Sequence, residues 1–168
     1  MKTEFLFAIF SMWASAWCNA SDGEAGFAVY LIKVDHAELS KVELEKQPLL
    51  TATDIVSYDW KTHTMALTDA GQLKIANSAD VGVRGDGFIL VADGQRCYRG
   101  AFWSSFSSAS CPTPVIVVDE AEKGKGVKIH RAYPSDEFAR GDDPRGDERV
   151  LRALKELGKL ENPSTGSK

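Results

Sequence analysis

The sequence predicts an α+β domain: a mostly antiparallel sheet with short helices on one face and a C-terminal helix. Three observations carry this expectation. Asp93-Gly94 stands between the apolar run FILVA and the run RCYRGAFW, and an Asp-Gly pair in that setting is a strong hairpin signal because Gly accepts the positive φ of a type I′ turn. A third run, PVIVV at 114–118, is β-branched and short enough to pair alongside. Near the end, Val150, Leu151, Leu154 and Leu157 fall on one stripe of a helix.

The elements follow in chain order. Lys2 precedes the apolar run 5–13, and small residues lead to Cys18-Asn19-Ala20, the pattern of a secretory signal peptide over 1–20 with cleavage after Ala20. Ala14-Ser15-Ala16 is a competing cleavage site, and Trp17 disfavours lipid attachment at Cys18. The run 27–34, FAVYLIKV, reads as the first strand, and Val42-Glu43-Leu44-Glu45 as a short second one. Thr51 followed three residues later by Asp54, with Leu50 and Ile55 at staple positions, predicts a helix over 52–58. Residues 62–67, THTMAL, alternate, which predicts a strand with His63, Met65 and Leu67 on one face. Asp69 and Gln72 open a second short helix through Leu73, Ile75 and Ala76. A two-residue turn at Asp93-Gly94 sets Val91 opposite Arg96, Leu90 opposite Cys97 and Ile89 opposite Tyr98. That register puts Ile89, Val91, Tyr98 and Phe102 on one face and Phe88, Leu90 and Cys97 on the other.

Residues 103–110, WSSFSSAS, are Ser-rich and lack strand periodicity, so they read as a loop. After a charged linker at 121–126, VKIHR at 127–131 alternates as a strand, with His130 facing solvent. Residues 134–146 are polar, Asp147 and Glu148 suit the start of the last helix, and Gly158 suits its end. The expected organisation is one domain over 21–161, with a core at 27–118, a strand and helix extension at 127–160, and a disordered tail at 162–168.

Removal of 1–20 leaves Cys97 and Cys111 as an even pair in a compartment where disulfides persist. A Cys97–Cys111 bridge would close the loop between them and stabilise by on the order of 3 kcal/mol. The alternative is two buried free thiols.

The runs PLLTATDI at 48–55, MALTDAG at 65–71 and GFILVADG at 87–94 are similar to the head of the first periplasmic domain of the SecD/SecDF protein-export subunits. The resemblance spans 48–118 and implies an α+β head with a Thr-opened helix after one strand and an Asp-Gly hairpin in the sheet. Those subunits span the membrane repeatedly and this sequence has no such helix, so neither proton-driven export nor any functional residue carries over.

A formal net charge of −4 without a clustered basic face argues against a phosphate-backbone binder, so no nucleic acid is expected. No Gly-rich phosphate loop, nucleophile elbow or metal-spaced histidine set occurs, and no cofactor, metal or catalytic residue is expected. His63 near Tyr58 and Asp59 is the most chemically suggestive histidine; a strand-edge residue is the simpler reading. Arg145-Gly146-Asp147 spells an adhesion tripeptide, and Asp147 already has a helix-capping explanation. Three functions follow: an exported, periplasmic or secreted, non-enzymatic domain binding an unknown protein or envelope component through Trp103 and Phe106; an inhibitor of a secreted hydrolase; or a hydrolase with an unrecognised site. Whether Trp103 and Phe106 are surface anchors or core residues is open on sequence alone.

Overall fold

A computed structural model describes residues 26–32, 38–78, 85–121 and 126–161. The expected leader 1–20, its cleavage after Ala20, and the tail 162–168 lie outside the described residues.

Eight strands form one sheet: β1 (Phe27–Ile32), β2 (Leu50–Thr51), β3 (Ile55–Asp59), β4 (Thr64–Leu67), β5 (Gly87–Ala92), β6 (Gln95–Trp103), β7 (Val115–Val117) and β8 (Val127–His130). Their spatial order is β2-β1-β5-β6-β7-β8-β4-β3, antiparallel throughout except the parallel pair β6–β7. Helices α1 (Asp69–Ser78), α2 (Val118–Ala121) and α3 (Glu148–Glu156) complete the α+β fold.

The edge strands β2 and β3 stand at opposite ends of this order, yet only the 3-10 turn Ala52–Asp54 joins them in sequence. A sheet whose two edges are tied by so short a link must curl toward itself, as a half-open barrel does. One apolar cluster accordingly gathers side chains from every strand, among them Val29, Leu50, Ile55, Met65, Leu90, Phe102, Ile116 and Ile129. Ile75 of α1, Val118 and Ala121 of α2, and Val150, Ala153 and Leu154 of α3 join the same cluster, so the helices occupy the concave face. The convex face carries two smaller clusters, one around Ile89 and Val91 and one around Trp103, Val115 and Val117.

The helix expected over 52–58 is only the 3-10 turn. Its start is as read, with the Asp54 carboxylate accepting the Thr51 N–H at 2.9 Å, but Ile55, Val56 and Tyr58 favour extended backbone and continue as β3. Residues 42–45 contribute a single bridge, Leu44 to Ile32, rather than a strand. α1 is formed, and α3 is capped by Asp147, whose carboxylate accepts Arg149 N–H at 2.9 Å. His63 lies in the turn before β4 with a φ of 53°, and His130 is half-buried rather than open to solvent.

In the β5–β6 hairpin, Asp93 and Gly94 have φ of 49° and 72°, as a type I′ turn requires. Val91 faces Arg96 as expected, but Leu90 faces Tyr98 and Ile89 faces Arg99, because Cys97 is the extra residue of a β-bulge. One inserted residue reverses every side chain beyond it. Tyr98 and Phe102 therefore join Phe88 and Leu90 in the concave core, while Ile89 and Val91 stay on the convex side. Among the described residues nothing lies within 4 Å of a Cβ built on Gly94, so Gly94→Val tests the backbone conformation. A loss of more than roughly 1 kcal/mol is expected by denaturant titration; an unchanged midpoint would contradict the turn.

Candidate functional site

The Ser-rich loop is held in place without a disulfide. Cys97 and Cys111 are both free and buried. Cys97 lies in the concave core with Phe88, Leu90 and Tyr98, whereas Cys111 belongs to the convex cluster with Trp103, Val115 and Val117. The expected Cys97–Cys111 bridge is thus corrected to two separate thiols on opposite faces of the sheet. Burial raises the Cys97 thiol above its usual value, with the Asp147 carboxylate adding to the effect.

The structure separates the two expected anchors. Trp103 ends β6 and is 5% exposed, packed with Tyr133 at a ring-centroid distance of 6.2 Å. It is a packing residue, and the expectation of a Trp103 surface anchor is corrected: the strand carries one residue into the segment read as a loop, and its side chain falls on the covered convex face. Phe106 is 90% exposed. It sits in a tight turn in which Ser107 N–H donates to Ser104 O at 3.0 Å and Phe106 N–H to Ser104 Oγ at 3.2 Å.

Two residues that sequence spacing does not point to clamp this turn. Asp119 of α2 accepts the Ser105 N–H at 2.9 Å and also takes the Ser105 hydroxyl. From the other side, Tyr133 OH donates to Ser105 O at 2.9 Å. Asp119 and Tyr133 lie 14 and 28 residues further along the chain, so only the β6–β7 crossover and the Cys111–Tyr133 bridge bring them to Ser105.

A second polar cluster surrounds His63. Tyr58 OH and His63 Nδ1 are 3.3 Å apart, and Trp60 packs edge-on to His63 with ring centroids at 5.6 Å. Burial pushes the Tyr58 phenol well up, so it stays protonated, and the His63 tautomer sets which of the two groups donates. Asp59 does not join His63: it caps its own turn, accepting Lys61 N–H at 2.9 Å and the Thr62 hydroxyl at 2.7 Å. Arg145 is buried, paired with Asp143 through Nε at 2.9 Å and Nη2 at 2.6 Å, and donates to Ile129 O at 2.9 Å. The Arg145-Gly146-Asp147 tripeptide is consequently not displayed as an adhesion motif.

Burial, then the Arg145 cation, hold the His63 imidazole below its usual value near 6.5. Asp143 and Asp59 act in the opposite sense and Lys128 in the same sense. The unfolded chain takes up this proton more readily, so His63 contributes stability above about pH 6.5 that is lost as pH falls through the lowered folded value. Asp143, held at about 2 chiefly by its Arg145 hydrogen bonds, acts in a separate window between about 3.8 and 2. His63→Asn tolerates the positive φ and is expected to flatten the fall in melting temperature below about pH 6.5. An unaltered slope would contradict this assignment.

Ser105–Asp119 and His130–Glu120 are neighbouring pairs, with His130 Nε2 3.1 Å from Glu120 Oε2. They do not form a nucleophile–base relay, because the Ser105 hydroxyl is donated to a carboxylate rather than to an imidazole. Among the described residues, no group of three or more His, Cys, Asp or Glu is placed to hold a metal ion, and no helix is long and apolar enough to cross a membrane. A surface hollow of about 520 Å³ lies elsewhere, lined by Leu31, Leu49 and the 45–48 loop. In comparisons with known proteins, no family model, curated protein or solved structure matches this chain.

Proposed function

We propose that this chain is an exported, non-enzymatic accessory domain that binds a protein or another envelope component through the loop carrying Phe106. The observation that carries the reading is a large apolar side chain, 90% exposed, on a turn fixed by Asp119 and Tyr133. Such a ring gains contact area on docking and the backbone beneath it is already ordered, so little conformational entropy is lost. Hydrophobic residues scattered singly on a surface need no function; a clamped turn presenting one at its tip is different, because the clamp fixes a display that the sheet itself does not require.

The leader-like 1–20 supports export, and the similarity of 48–118 to the SecD head supports an envelope setting. The experiment is site-specific photo-crosslinking in cells, with a photoreactive residue at position 106 and a control at Leu73, which is 61% exposed on α1. The reading predicts a discrete adduct from position 106 alone. Equal adducts from both positions, or none from 106, would overturn it. The intact mass of the recovered protein, starting at Ser21, checks export.

A further inference from the structure

Phe106 is not the only exposed aromatic in this region. Phe138, in the 3-10 turn Asp136–Phe138, is 46% exposed. Its segment is stitched to the Phe106 loop at three places. Tyr133 OH donates to Ser105 O, Cys111 and Tyr133 exchange both backbone hydrogen bonds at 3.0 and 2.9 Å, and Arg140 N–H donates to Pro112 O at 3.2 Å. The two rings are therefore presented by one connected surface.

The charge on that surface has a sign. Asp136 and Glu137 immediately precede Phe138 and are exposed, as is Asp142. The exposed cation among residues 134–143 is Arg140. We propose that Phe106 and Phe138 form one contact face that selects a basic, apolar protein segment: apolar side chains against the two rings, with flanking Lys or Arg toward Asp136 and Glu137. This rests on the proposed binding role of Phe106 and specifies its partner. Rim charges of one sign steer and select a partner of the other, and a cation beside an aromatic face is further favoured. The same carboxylates oppose an anionic bilayer, whose surface potential attracts basic rather than acidic segments.

The test uses the isotopically labelled mature chain and peptides sharing one apolar sequence flanked by Lys and Arg, by Ser and Gln, or by Asp and Glu. Vesicles of phosphatidylglycerol and phosphatidylcholine serve as the lipid probe. The basic peptide is expected to shift the amides of 104–109 and 136–140. Phe106→Ala should weaken it by roughly tenfold or more, and the double variant Asp136→Lys, Glu137→Lys by several-fold, with a reduced salt dependence. The inference is overturned if the three peptides bind alike, if charge reversal changes nothing, if the vesicles are preferred, or if no probe shifts these amides. In each of those cases an adduct from position 106 in cells would still support the broader binding role, so the two readings fail separately.

Discussion

Trp103→Ala is expected to lower stability by about 3–5 kcal/mol, the range for truncating a buried large aromatic. Trp103 stands at the end of β6 between Tyr133 and Gly85, and a Cβ on Gly85 would already lie 2.9 Å from its ring. Removing the indole would leave Cys111, Val115 and Val117 facing a void on the convex side. Its Nε1–H has no hydrogen-bond partner among the described residues, so the expected loss is one of packing and apolar burial. Denaturant titration checks it, and a change below about 1 kcal/mol would contradict the burial of Trp103.

Gly100→Val is expected to be comparably severe for the opposite reason. A Cβ at Gly100 would sit 2.2 Å from Phe88 Cζ and 2.6 Å from Pro114 O. Phe88 is fully buried and packs on Phe102 with ring centroids 5.2 Å apart, and Pro114 O accepts the Ala101 N–H that begins the β6–β7 pairing. Neither neighbour can yield cheaply. Overpacking of this kind costs about 1–3 kcal/mol or more, and a branched side chain extends the clash. Phe88→Leu in the Gly100→Ala background should recover part of the loss if the ring is the obstacle; strict additivity of the two changes would contradict the close approach.

Much of the fold was legible because local chemistry and period agreed. The Asp93-Gly94 turn, the 114–118 strand and the Asp147-capped α3 were read from residues whose preferences the tertiary structure does not override; α1 formed as read, but Thr68 rather than Asp69 caps it, its hydroxyl accepting Gly71 N–H at 3.1 Å. The register of β6 was not legible, since Cys97 bears no sequence mark of a bulge, and that one residue moved Tyr98 and Phe102 to the other face. Cys111 lies outside β6, held to Tyr133, so its place on the face opposite Cys97 had no local signal either. At 52–58, a good helix start preceded residues better suited to a strand, and β3 pairing with β4 prevailed.

The candidate site was half legible. Phe106 stood out as an aromatic in a non-periodic loop, but Trp103 had the same appearance, and only the length of β6 separates them. The clamp by Asp119 and Tyr133 and the second ring at Phe138 depend on contacts across the sheet that no local pattern encodes.

The most direct test of the central claim sets Phe106→Ala beside wild type in two assays, a thermal melt and capture of the partner identified by crosslinking at position 106. At 90% exposure the ring contributes little to folding. The account predicts a melting temperature close to wild type together with loss of capture. Capture at the wild-type level with an unchanged melt would contradict it.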